Sequence, residues 1–182
     1  FSKDRANWLR WLFEAKKRYG LCVLDYIVTS NHIHLLVKDT RDGVITKSMQ
    51  LIAGRSAQDY NNRKKRKGAY WEDRYHATAI ENDKHLFQCI AYIDLNMVRA
   101  GVAAQPEDWI HSGYNEIQYP PERYRIIDQH ALMLLSGCTN LTSLQLAHRQ
   151  WVSSALKHSD DNKQQSYWSN SIAVGSEAYV KS

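Results

Sequence analysis

A chain of 182 residues is long enough to bury one hydrophobic core and still carry an appendage. Hydrophobic residues make up 43% and charged residues 24%, the balance of an ordinary globular protein, and no apolar run approaches the ~18 residues that a membrane span needs. The net charge of +5 permits a polyanionic partner without requiring one. Cys22, Cys89 and Cys138 are odd in number and far apart, and no basic-then-apolar leader is present. They point to reduced thiols in a cytoplasmic setting, not to a disulfide frame.

In chain order, "DRANWLRWLFEAKKRYG" repeats apolar residues at Trp8, Trp11, Leu12 and Ala15, the helical spacing, and predicts a helix over 4–18 with Gly20 as its stop. "LCVLDYIVTS" and "HIHLLVKD", parted by Ser30 and Asn31, predict two antiparallel strands. "DGVITKSMQLIAGRSAQDYNNRKKRK" predicts a second helix with Ile45, Met49, Ile52 and Ala53 inward, running into five successive bases, Arg63, Lys64, Lys65, Arg66 and Lys67. "AYWEDRYHATAIE" predicts a third strand, and "NDKHLFQCIAYIDLNMVRAG" a third helix with an Asn or Asp cap at its start and Gly101 past its end. Helix, strand, strand, helix, strand, helix is most of the βαββαβ order of a ferredoxin-like α+β fold, an antiparallel sheet with helices on one face, lacking its first strand. A linker or edge segment over 119–127 contains two of the three prolines and divides a unit over 1–118 from a mainly helical C-terminal extension over 128–182. That extension predicts two short amphipathic helices, then the polar "SDDNKQQS" and a closing "IAVGSEAYV".

His32 and His34 are two apart in a predicted strand. Their side chains therefore leave the same face ~6–7 Å apart and can converge on one ion. An isolated H-x-H is more often a pair of surface histidines, so further ligands must come from elsewhere. The third helix supplies candidates: Tyr92 and Asn96 lie one turn apart on one side, roughly with His85, Cys89 and Arg99, whereas Leu86, Ile90, Ile93 and Met97 form a separate apolar stripe for the core. Two imidazoles and an amide oxygen suit a divalent ion such as Mg²⁺ or Mn²⁺ with positions left open for a phosphate oxygen. A phenol beside such an ion is a nucleophile for phosphorus, and a phosphotyrosine link conserves bond energy for rejoining DNA.

"SNHIHLLVKD", "GAYWEDRYHATAI" and "YIDLNMVRAG" together resemble the three signature blocks of the HUH-type single-tyrosine transposases, and more closely those of the REP-associated tyrosine transposases of bacteria, over residues 5 to 117. The resemblance implies that His32, His34 and Asn96 hold a divalent cation while Tyr92 attacks single-stranded DNA, leaving a 5′-phosphotyrosine and a free 3′-OH. It implies a hairpin-forming repeat as partner, a cytoplasmic, nucleoid-associated setting, and a monomer, with a dimer as the alternative. Relatives usually carry proline where Met97 stands, and a strand and polar turn ahead of the first helix, where this chain begins "FSKDRANW".

The basic run beside Tyr70, Trp71, Arg74 and Tyr75 is a candidate DNA-binding face, since cations neutralise phosphates and exposed aromatics stack on unpaired bases. Arg55 and Arg99 are assigned to the same role, Trp71 is either a stacking platform or a core residue, and His76 is read as an ordinary strand histidine. The function expected is metal-dependent cleavage and rejoining of single-stranded DNA. The alternatives are a domesticated DNA-binding module of the same fold that no longer cleaves, and a hydrolase of small phosphates, which would need neither Tyr92 nor the basic run.

Overall fold

The computed structural model describes residues 2–82, 84–157, 168 and 171–180. Helix α1 (Ser2–Tyr19) buries Trp8, Leu12 and Ala15, one row at helical spacing, and Lys16, Lys17 and Arg18 sit in its last turn, where the helix dipole favours cations. Gly20, at φ 73°, takes the left-handed conformation that ends the helix. Strands β1 (Cys22–Val28) and β2 (Ile33–Lys38) then form an antiparallel hairpin in which Tyr26 faces Leu35 and Ile27 faces His34.

All seven residues of β1 are buried, and both of its edges are paired. On the side away from β2, the Val28 amide donates to the His111 carbonyl (2.9 Å) and the Asp128 amide to the Val23 carbonyl (2.7 Å). Thus 119–127 ends as an edge segment: Ile126 and Ile127 are buried, and their amides donate to the buried Glu116 carboxylate at 2.6 and 2.8 Å.

Helix α2 (Val44–Lys64) lies antiparallel to α1, as the pairs Asp4 with Arg63 and Asn7 with Asp59 require. Asp59 accepts from Asn7 Nδ2 (2.9 Å), Arg10 Nη2 (2.9 Å) and Trp11 Nε1 (2.7 Å). The residues of α2 that are fully buried are Val44, Ser48, Ile52 and Ser56; Ile45, Met49 and Ala53 are half-buried beside them.

The third strand differs from expectation. Residues 69–78 do not join the hairpin: most of the segment is exposed, and Glu72, Asp73 and Arg74 leave it without an alternating apolar face to bury. Only β3 (Ala79–Ile80) is a strand, and it pairs in parallel with β4 (Ala173–Val174). The third helix is divided into α3 (Lys84–Asp94) and α4 (Asn96–Arg99), with Gly101 at φ 67° beyond. Leu86, Ile90, Ile93 and Met97 are buried as their spacing predicts. Cys89 is not beside Tyr92 on an open face but buried, because α3 is covered by β1 and also by α7. The candidate cap Asp83 and the stretch 159–166 lie outside the described residues.

Helices α5 (Gly113–Gln118), α6 (Gln129–Ser136), α7 (Leu141–Lys157) and α8 (Glu177–Val180) follow. Asp128 caps α6 by accepting from the Ala131 amide (2.9 Å), and Gly137 at φ 70° closes it. Leu132 of α6 and Leu144 of α7 belong to the same apolar core as β1, α1 and α3. The result is a mixed α+β chain: a small antiparallel hairpin packed against helices, with a mainly helical C-terminal region. No helix among the described residues is long and apolar enough to cross a membrane.

Asp25 is fully buried in β1; its Oδ1 accepts the Tyr26 amide (2.8 Å), and its Oδ2 has no partner. Burial first, and the neighbouring Asp94 second, push its carboxyl well above the usual range. An acid whose native pKa exceeds its unfolded value holds a proton that the unfolded chain has released. Stability therefore falls as pH rises from about 4 through the native pKa, by up to ~1.4 kcal/mol per pH unit. Asp25→Asn removes that ionisation, so the melting temperature of D25N relative to wild type is expected to climb with pH across this window. A difference that stays constant from pH 4 to 8 in a thermal melt would show that Asp25 ionises normally.

Candidate active site around Tyr92

The turn that carries the histidines is built by Thr29. Its amide and Oγ1 both donate to the His32 carbonyl (3.0 and 2.7 Å), and Oγ1 accepts the His32 amide (3.1 Å). Arg5 of α1 fixes the same turn from outside: Nε donates to the Thr29 carbonyl (3.3 Å) and Nη2 to Ser30 Oγ (2.9 Å), while the guanidinium lies 4.7 Å over the Trp109 ring. Trp109 in turn donates from Nε1 to the Val28 carbonyl (3.1 Å). His32 stands exposed at the mouth of the hairpin, and His34 is half-buried one pleat further in.

The two imidazole centroids are 5.0 Å apart at 76°, and the Tyr92 ring lies 5.5 Å from that of His34. Helix α3 thus brings Tyr92 to the histidine face of β2. Arg99 of α4 leans back over Tyr92, its guanidinium 5.6 Å from the ring, with Nη1 donating to the Tyr92 carbonyl (3.4 Å). Burial lowers the pKa of Arg99, although a guanidinium keeps its proton at neutral pH. Trp168 also stacks on Tyr92, at 6.1 Å and 29°. Asn96 is half-buried at the first residue of α4, one turn beyond Tyr92.

The imidazoles have the chemistry of metal ligands. Burial, and then His32, hold His34 down to about 4, so its ring is neutral at physiological pH and a lone pair is free. The Nδ1 of His32 faces Asn31 Oδ1 at 3.0 Å, the arrangement that fixes a tautomer with the Nε2 lone pair directed away. Among the described residues no third His, Cys, Asp or Glu joins them. Asn96, half-buried one turn beyond Tyr92, carries a neutral amide oxygen, a donor type that divalent ions accept.

The basic run lies beside this turn. Asp4 and Arg5 are neighbours on α1: the first pairs with Arg63 and the second holds Thr29 and Ser30, which sets the end of α2 close to the histidine hairpin. Lys64 ends α2, Lys65 caps it in the left-handed conformation (φ 51°), and Arg66 donates from Nη2 to the Ala69 carbonyl (2.8 Å). Arg63 and Arg66 lie 5.3 and 5.8 Å over the Tyr60 ring, and Tyr60 meets Tyr70 at 4.6 Å. Trp71 is neither core nor free: it is 36% exposed, and its Nε1 donates to the Ala53 carbonyl (3.0 Å). Tyr75, Arg74, Lys67 and Arg55 are exposed, Arg55 being 5.5 Å over the Trp11 ring. His76 is exposed, not a strand residue, and its Nε2 lies 3.1 Å from the Ser171 carbonyl, tying 69–78 to the C-terminal segment.

A family model described as "Transposase IS200 like" matches residues 2–96, more than half of the chain, and ends on the candidate amide ligand. The chain belongs to the IS200-like transposase family. No curated protein and no solved structure matches it. Members of that family are transposases that cut single-stranded DNA and generally depend on a metal ion.

Two groups of site residues had no signal in the IS200-like motifs. Arg5 acts through a turn carbonyl and a serine hydroxyl, which any exposed helix arginine could reach, and Trp168 meets Tyr92 across a separation of 76 residues that no spacing rule anticipates.

Proposed function

We propose that the chain is a metal-dependent, single-tyrosine DNA strand transferase of the REP-associated kind, acting on hairpin-forming single-stranded DNA. The observation that carries this reading is the run of rings from His32 through His34 to Tyr92, with the Arg99 cation over the phenol, in a member of the IS200-like family.

In this reading His32, His34 and Asn96 hold Mg²⁺ or Mn²⁺. When bound, such an ion polarises a phosphate oxygen and aligns the scissile bond. The remaining chemistry belongs to the side chains. Arg99 offsets negative charge on the phenol and on the phosphate brought against it. Tyr92 Oη attacks phosphorus, the P–O3′ bond breaks, the phenolic proton passes to solvent and the departing 3′ oxygen gains a proton. The products are a 5′-phosphotyrosine and a 3′-OH, and the reverse attack by a 3′-OH rejoins a strand. Residues 1–118 carry this chemistry, 119–127 connect, and 128–182 form the extension. A monomer in the bacterial cytoplasm suffices.

The test is to incubate the protein with end-labelled hairpin oligonucleotides and Mn²⁺ or Mg²⁺ and look for label migrating with the protein on a denaturing gel. Label that depends on the metal supports the reading. Hairpins that bind but never become attached would favour the non-cleaving DNA-binding module instead.

Arg55, Arg63, Lys64, Lys65, Arg66, Lys67, Trp71, Arg74 and Tyr75 form the DNA face in this reading. Lys64, Lys65 and Lys67 are exposed. Replacing these three by glutamine is expected to flatten the plot of log affinity against log salt by about 2, from ~0.7 per phosphate contact on single strands. A salt titration with an unchanged slope would move the DNA elsewhere.

A further inference from the structure

Tyr92 and Asn96 stand on opposite sides of a break. Helix α3 ends at Asp94, Leu95 sits at φ −84° and ψ 0°, and α4 begins at Asn96. Leu95 alone joins the two helices, its amide donating to the Ala91 carbonyl (3.1 Å) and its carbonyl accepting from the Arg99 amide (2.9 Å), so the direction in which Asn96 points relative to Tyr92 depends on the angle at this one-residue joint. Asp94 stands immediately before the break, and its side chain reaches α7.

There Asp94 Oδ2 meets His148 Nε2 at 2.7 Å; Asp94 is 1% exposed and His148 0%. The imidazole's protonation state follows from its second neighbour. Gln118 Oε1 accepts from Arg149 Nε (2.7 Å), and Gln118 Nε2 donates to the Gln145 carbonyl (3.2 Å), so the amide can be oriented in only one way. That orientation presents Nε2 to His148 Nδ1 at 2.7 Å. Nδ1 must accept, so Nε2 carries the hydrogen and donates it to Asp94. Burial keeps the ring neutral, holding it down to about 3. The amide, the imidazole and the Asp94 carboxyl group thus form a directional chain from the end of α5, through α7, to the break. Around it α7 covers one row of α3 and its end: Trp151 stacks on Phe87 at 4.3 Å and 19°, and Val152 packs with Ala91 and Leu95.

We infer that His148 is a positioning residue of the transferase, holding Asp94 so that the break between α3 and α4 presents Tyr92 and Asn96 together to His32 and His34. The inference rests on the reading of Tyr92 as nucleophile. It also gives part of the C-terminal region, which lies wholly outside residues 2–96, a role in the chemistry. His148→Phe deprives the buried Asp94 Oδ2 and Gln118 Nε2 of the imidazole whatever the role of His148, so a loss of stability alone does not identify positioning. A positioning histidine must be replaced by a side chain that donates at Nε2 and accepts near Nδ1, which the amide of glutamine does in part.

The experiment compares wild type, His148→Phe and His148→Gln in full-length protein, by the rate of covalent attachment at saturating hairpin, by hairpin affinity, and by hydrogen exchange of the backbone amides. The expected result for H148F is attachment about ten- to a hundredfold slower, the cost of a misplacement of ~1 Å, with hairpin affinity within about threefold of wild type. H148Q is expected to recover most of that rate. Exchange in H148F should rise in 92–101 and not in the hairpin 22–38. Unchanged attachment, equal slowing in H148F and H148Q, or exchange that rises evenly over the whole chain would each overturn the inference. Should H148F not fold, Gln118→Met removes the donor to Nδ1 while keeping the imidazole; it is expected to slow attachment by a smaller factor, and no slowing would count against the proposal. If wild type itself forms no adduct, the reading of Tyr92 fails and the positioning role with it. Exchange confined to 92–101 would then mark a structural anchor only.

Discussion

Tyr92→Phe is expected to lose covalent attachment to DNA by on the order of 10³-fold or more while hairpin affinity changes less than about fivefold. Removing one hydroxyl leaves the ring that meets His34, Arg99 and Trp168 in place, so the packing of the site survives. A single hydrogen bond to DNA is worth ~1 kcal/mol, too little to account for lost activity through lost binding. Attachment and affinity therefore separate only if the hydroxyl is the nucleophile. Equal losses in an adduct gel and in a binding titration would mean that Tyr92 contacts DNA without attacking it.

Gly113→Ala is expected to destabilise the fold by about 3 kcal/mol, which for a chain of this size lowers the melting temperature by about 6–12 °C. At the first turn of an exposed helix, alanine in place of glycine would normally stabilise by ~0.5–1 kcal/mol. Here a Cβ on Gly113 would meet Asp25 Oδ1 at 2.2 Å, Ile127 Cδ1 at 3.1 Å and the Tyr26 amide nitrogen at 3.2 Å. The Asp25 carboxyl group cannot withdraw without giving up its bond to the Tyr26 amide in a fully buried site, so overpacking decides the sign. The double variant with Asp25→Ala checks the cause: with the obstructing oxygen gone, most of the added cost should disappear. Strictly additive melting shifts would place the strain elsewhere.

The elements that the sequence describes well are those whose periodicity is enforced by burial on one side. The apolar row of α1 and the stripe Leu86, Ile90, Ile93 and Met97 are of this kind, and the H-x-H hairpin follows from β-branched runs on either side of a polar turn. The third strand is not where it was expected because Tyr70 and Trp71 have strand-like composition but are engaged elsewhere, Tyr70 against the Tyr60 ring and Trp71 through its N–H to the Ala53 carbonyl, while Tyr75 stays exposed, none of which an alternation encodes. Cys89 misleads for a related reason: a helix covered on two sides has no open face for its spacing to reveal. His148 leaves no trace in any motif, since its meaning lies in a carboxylate 54 residues away.

The clamp on the histidine turn has a consequence in time. His32, His34, Tyr92 and Asn96 all lie in the first 96 residues, yet the turn is braced by Arg5 standing on Trp109, and the α3–α4 break is tied to His148. During synthesis the chain emerges from its N-terminus at ~5–20 residues per second. In the proposed reading, these four side chains are therefore synthesised seconds before the contacts that would orient them can form, and the partly made polypeptide passes through a stage that holds the parts of the proposed centre without their alignment.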